Sequence, residues 1–74
     1  MAEAKIIAEM AGRLVSVDVT VGDEILQGQE IAVIESMKME VPLTSTVSGV
    51  VSRVLAQPDK MIAEGDLILI VSLS

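Results

Sequence analysis

The 74-residue sequence predicts an all-β fold, a small sandwich or flattened barrel filling one domain over residues 1–74. Three observations carry that prediction. Eleven Val, eight Ile and three Thr make the chain rich in β-branched residues, which suit a pleated, half-buried surface. Val15, Val17, Val19 and Val21 alternate with Ser16, Asp18, Thr20 and Gly22, the period of two expected of a half-buried strand. Short apolar runs are separated by turn dipeptides at Gly22-Asp23, Gly28-Gln29 and Gly65-Asp66.

The runs Ile31 to Ile34 and Leu67 to Val71 are too short for typical helices and are bounded by turn residues, so they read as strands buried on both faces. Sliding the sequence on itself by 37 residues places Gly12 on Gly49, Val17 on Val54, Ile25 on Ile62, Gly28 on Gly65 and Ile31 on Ile68. Leu14 on Val51, Val33 on Ile70 and Ile34 on Val71 match in character in the same register. Residues 12–34 and 49–71 therefore read as two copies of one unit. Neither copy could bury its apolar face alone, so the two are expected to share a core about a pseudo-two-fold axis. Subtracting 37 from Lys38 gives position 1, and adding it gives position 75, just past the end. The linker from Glu35 to Pro42 is thus expected to project from one pole while the termini lie at the other. One pair departs from the symmetry: Gly22 falls on Asp59, within Gln57-Pro58-Asp59-Lys60, where a loop of slightly different shape is expected.

Composition removes several function classes. With no Cys and no His there are no disulfides, no Cys/His zinc frameworks and no Ser-His or Cys-His nucleophile. Eleven acidic residues against five basic ones give a net charge of −6, and there is no aromatic residue, which argues against a nucleic-acid partner. The longest apolar run is five residues, whereas a membrane-spanning helix needs about 20. Glu3, Lys5 and Glu9 interrupt the N-terminal apolar patch, which lacks the basic and extended apolar regions of a secretory signal. The chain is expected to be cytoplasmic and, with its acidic surface, a monomer in isolation.

The linker Glu35-Ser36-Met37-Lys38-Met39-Glu40-Val41-Pro42 breaks the local rules for a hairpin, since its centre holds no Gly, Asn or Asp. Conflicts of this kind gather where function overrides propensity. Two soft, adaptable Met side chains flank a lone amine, although residue types alone favour an ordinary solvated turn lysine with the methionines folded into the core.

Glu35-Ser36-Met37-Lys38-Met39-Glu40 resembles the attachment motif of biotinyl domains, the carrier modules of biotin-dependent carboxylases. The resemblance extends to Met10-Ala11-Gly12, Gly22-Asp23, Gly28-Gln29, Gly49 and Gly65-Asp66, and covers about residues 8–72. Ala11, where the family often has Pro, and Pro58-Asp59, in place of a second Gly-Asp turn, depart from it. The resemblance implies a flattened barrel of two four-stranded antiparallel sheets with Lys38 at a hairpin tip. It implies a carrier and not an enzyme, with biotin joined to Lys38 by a biotin protein ligase and Met37 and Met39 contacting that ligase and later the carboxylase sites. Glu35, Ser36 and Glu40 are weaker candidates, equally suited to being solvated flanks. Carboxybiotin would then shuttle between the biotin carboxylase and carboxyltransferase components of an enzyme such as acetyl-CoA carboxylase. Lysine suits the task because its flexible stem ends in a primary amine that can form a stable amide.

Two alternatives follow from the same fold. Lipoyl domains also use a hairpin lysine, for acyl transfer in 2-oxo acid dehydrogenases, so lipoate is the alternative cofactor. They commonly carry Asp before the lysine and Ala after it, unlike Met37 and Met39. An unmodified barrel serving as an adaptor is the other alternative, and the intact motif argues against it.

Overall fold

Eight strands make up the regular structure of residues 2–73, the residues described by the structure, a computed structural model. They are β1 (Ala2–Ile7), β2 (Gly12–Val17), β3 (Glu24–Ile25), β4 (Glu30–Ser36), β5 (Met39–Thr44), β6 (Gly49–Val54), β7 (Met61–Ile62) and β8 (Leu67–Leu73). They form two four-stranded antiparallel sheets, ordered β1-β8-β6-β3 and β5-β4-β2-β7. This is the expected all-β architecture.

Each strand of the first half returns 37 residues later with the same length, so the repeat runs beyond residues 12–34 and takes in β1 and β5 as well. The shift maps one sheet order onto the other, and each sheet draws two strands from each half. Neither half has a sheet of its own.

Irregularities repeat too. Register shifts between Leu14 and Ser16 and between Val51 and Arg53 are two-fold mates. So are the cross-bonds from Leu14 N to Lys60 O and from Val51 N to Asp23 O, at 2.9 Å each. Left-handed backbone occurs at Gly28 and Gly65, and also at Gly22 and its mate Asp59. The Gln57–Lys60 loop therefore keeps the corner of its counterpart, with the Asp59 amide donating to Leu14 O as Gly22 donates to Val51 O. It differs in closure: Asp23 N donates to Thr20 O and its carboxylate accepts from Thr20 N, and among the described residues nothing equivalent joins Gln57 and Lys60.

The core follows the same symmetry. Ile6 and Leu43, Leu14 and Val51, Ile25 and Ile62, Ile31 and Ile68, Ala32 and Leu69, and Ile34 and Val71 are all buried two-fold mates. Ala8 is matched by Ser45, a buried hydroxyl that donates to Val47 O at 2.6 Å and is thereby satisfied. The runs expected to be buried on both faces are strands, but Val33 and Ile70 are only half-buried on the outer faces.

The alternating stretch from Val15 to Val21 is strand only as far as Val17. Val15 falls at the register shift opposite β4, the chain turns away at Asp18, and Val21 stands 63% exposed at a corner. A bulge adds a residue and switches the side-chain alternation, which a strict period of two does not anticipate.

Gly12 and Gly49 sit at close strand approaches, and a Cβ on either would clash with a backbone carbonyl oxygen, of Glu35 or Ser72 respectively. Gly12→Ala and Gly49→Ala are each expected to lose about 1–3 kcal/mol of stability, because the clash is with backbone that cannot rotate aside. Urea denaturation measures this, with exposed Val21→Ala expected within about 0.5 kcal/mol of the parent. Unchanged stability of both glycine variants would contradict the close packing described.

Candidate functional site

Strands β4 and β5 form a hairpin in which Ser36 pairs with Met39, leaving Met37 and Lys38 as a two-residue loop. Both loop residues have positive φ, 52° and 65°, the signature of a type I′ turn. Its twist matches the twist of the flanking strands, which explains why the hairpin adopts it. Asn-Gly is the usual occupant, and an L-residue other than Gly, Asn or Asp costs roughly 1–2 kcal/mol in this region. The poor turn chemistry seen in the sequence is therefore real strain, held by the β4–β5 ladder.

The tip is open to solvent. Met37 is 93% exposed and Met39 is 66% exposed, and neither belongs to the core, so the structure brings Met37, Lys38 and Met39 together as an outward cluster. Lys38 is exposed as well. Both ion pairs among the described residues are made by Arg13, which leaves the Lys38 ammonium unpaired despite the nearby carboxylates. Glu35 and Glu40 face each other one step down the ladder, an opposition of like charges. Ser36 ends β4 half-buried.

Arg13 on β2 pairs with Glu35 in register, and its Nε and Nη2 both approach Glu35 Oε1 at 3.3 Å. Its Nη1 donates to Asp59 Oδ1 at 2.8 Å. These two residues, Arg13 and Asp59, are the part of the site that the motif alone did not reveal. A trace existed in the repeat, where Arg13 falls on Val50, Glu35 on Ser72 and Asp59 on Gly22. A hollow of about 210 Å³ lies elsewhere, lined by Lys5, Ile7, Leu43 and Thr44 toward the far end of β5. The tip contributes nothing to it. The arrangement around Lys38 displays a nucleophilic amine; it does not enclose a small molecule.

Residues 3–71 match the family described as biotin-requiring enzyme. The chain belongs to that family. It is 46% identical over 61 residues to the biotin/lipoyl attachment protein of Bacillus subtilis (strain 168), covering 82% of this chain and 84% of the relative. It is 40% identical over 65 residues to the biotinylated protein TB7.3 homolog of Mycobacterium leprae (strain TN), covering 88% and 92%. A segment making up 8% of the human mitochondrial propionyl-CoA carboxylase alpha chain is 43% identical over 60 residues, covering 81% of this chain. Among solved structures, Kluyveromyces lactis urea carboxylase superposes with a TM-score of 0.88 at 29% identity, over 97% of this chain and 6% of the enzyme. The chain is thus a biotin carrier domain, homologous to short segments of much larger carboxylases.

The strained loop generates a direct expectation. Replacing Met37-Lys38 by Asn-Gly should raise unfolding free energy by about 1–2 kcal/mol in urea denaturation, since both residues then tolerate positive φ. No gain in stability would mean that the turn is relaxed and that its sequence needs no functional explanation.

Proposed function

We propose that Lys38 is the residue that carries biotin, and that the chain serves as a mobile carboxyl carrier within a biotin-dependent carboxylase. The supporting observation is the unpaired Lys38 amine at the apex of a strained, fully exposed turn, between two methionines with no packing role. A turn chosen for stability would hold different residues.

The chain's own contribution is presentation. Lys38 Nζ would lose one proton to become the free amine, attack the carbonyl carbon of a biotin carboxyl group activated by a biotin protein ligase, and lose a second proton as the activating group departs, leaving an amide and taking the formal charge from −6 to −7. Biotin, when attached, supplies a ring that accepts a carboxyl group at one enzyme site and yields it at another. Met37 and Met39 offer polarizable apolar surface to the ligase and then to the carboxylase and carboxyltransferase components. The barrel sets how far the amine can reach, so each encounter is governed by an effective concentration and not by the bulk one. Action as a cytoplasmic monomer is part of the same proposal, and the acidic composition supports its monomeric part.

Intact-mass analysis after incubation with a biotin protein ligase, with peptide mapping, is expected to find one biotinyl adduct on Lys38. Lys38→Arg should carry none while melting within about 2 °C of the parent, as expected for an exposed surface change. An adduct on another lysine, or retained biotin on Lys38→Arg, would overturn the assignment. Parallel incubation with a lipoate ligase separates the two cofactors, and a lipoyl adduct alone would move the chain to acyl transfer.

Met37→Ala and Met39→Ala should each slow modification several-fold with little change in melting temperature, given the exposure of both side chains. A larger effect on melting than on modification would return them to a structural role.

A further inference from the structure

The internal repeat supplies a control for function, because whatever the fold requires appears in both halves. One side of the molecule folds with Val50 on β6, Ser72 on β8 and Gly22 in the turn before β3. At the mated positions the other side has Arg13 on β2, Glu35 on β4 and Asp59 in the turn before β7, and there they are joined. Glu3 and Glu40, by contrast, are mates, so Glu40 does not distinguish the two sheets.

Each member of the trio shows a cost or a constraint that folding alone does not explain. Asp59 occupies left-handed backbone, φ 69°, a conformation Asp tolerates, at the corner where its mate is Gly22, and there its carboxylate reaches Arg13. Arg13 stands between two carboxylates, half-buried, with its planar fork divided between them. Glu35 is held through Oε1 alone, which draws it toward β2, away from Glu40, and leaves Oε2 free among the described residues. Gly12 lets β2 approach β4 beside Glu35, fixing the separation at which Arg13 reaches it.

Resting on the reading of Lys38 as the biotin acceptor, we infer that Arg13 is a positioning residue for the modification reaction. Anchored by Asp59, it orients the Glu35 carboxylate three residues before Lys38. Glu35 Oε2 is then presented as a fixed acceptor to a hydrogen-bond donor or cation on the ligase that docks at the tip. A preset acceptor removes the ordering cost that a freely rotating glutamate would add on docking. Arg13 touches neither biotin nor the amine; it acts through Glu35.

Initial rates of biotin incorporation by a biotin protein ligase, at varied carrier concentration, test this on the full chain. The variants are Arg13→Val, which installs the residue of the mated position, Asp59→Gly, which does the same at the anchor, Glu35→Gln, and Arg13→Val with Glu35→Gln. Loss of one oriented charge-assisted contact predicts a KM for the carrier raised about fivefold in Arg13→Val, with kcat within about twofold of the parent. Asp59→Gly should raise KM by a smaller factor while melting no lower than the parent. In the Glu35→Gln background Arg13→Val should add nothing, because the group it positions has lost its charge. A KM within about twofold of the parent in folded Arg13→Val would overturn the inference, as would an undiminished Arg13 effect in the Gln background. So would KM shifts that appear only together with lowered melting in both Arg13→Val and Asp59→Gly. Failure of the parent chain to take biotin on Lys38 would instead overturn the carrier reading, and that is visible before any variant is compared.

Discussion

Ile31 and Ile68, both fully buried and related by the 37-residue shift, mark the constraint on which the molecule depends. With 74 residues and no disulfide, the chain must gather its aliphatic core in one place. It does so by interleaving its halves, two strands from each in either sheet, so that no half has a core to itself. The close passes at Gly12 and Gly49, the paired bulges and the left-handed corners are the local geometry that lets the sheets wrap into that arrangement. The end of β4 from which the tip projects is held between β2 and β5.

That fixity gives the Lys38 hairpin its character. Two residues with unfavourable positive φ persist in the loop because the ladder on both sides, continued through β2, over-determines their conformation. The stability of the shared core offsets the strain. The tip therefore combines a rigid base with a long, flexible and unpaired amine, the combination a carrier needs if its cargo is to enter active sites on other proteins. The family match spans residues 3–71 and so includes this hairpin.

Much of this was legible in the sequence, for identifiable reasons. Glycines with positive φ or close strand approach cannot drift freely, and so Gly12, Gly28, Gly49 and Gly65 kept the repeat visible. Ile25, Ile31 and their mates did the same for the core. The repeat faded at β1 and β5 because their inward positions, such as Ile6 and Leu43, match in character and not in identity. The alternation of Val15 to Val21 misled beyond Val17 because a bulge and a corner interrupt a pattern that composition alone continues. Lys38 and its methionines were legible as a motif. Arg13 was not, because its meaning depends on β2 lying beside β4 and on the Asp59 corner lying within reach, contacts 22 and 46 residues apart in sequence.

The tip is presented by the barrel and is not woven into its core. Amide chemical shifts compared between the unmodified and the biotinylated chain test it most directly. Perturbations are expected only at residues 35–40 and their immediate neighbours on β2, with the resonances of Leu14, Ile31, Val51 and Ile68 unmoved. Shifts spread through both sheets would contradict it, showing that modification alters the shared core and that the barrel is not the fixed base described.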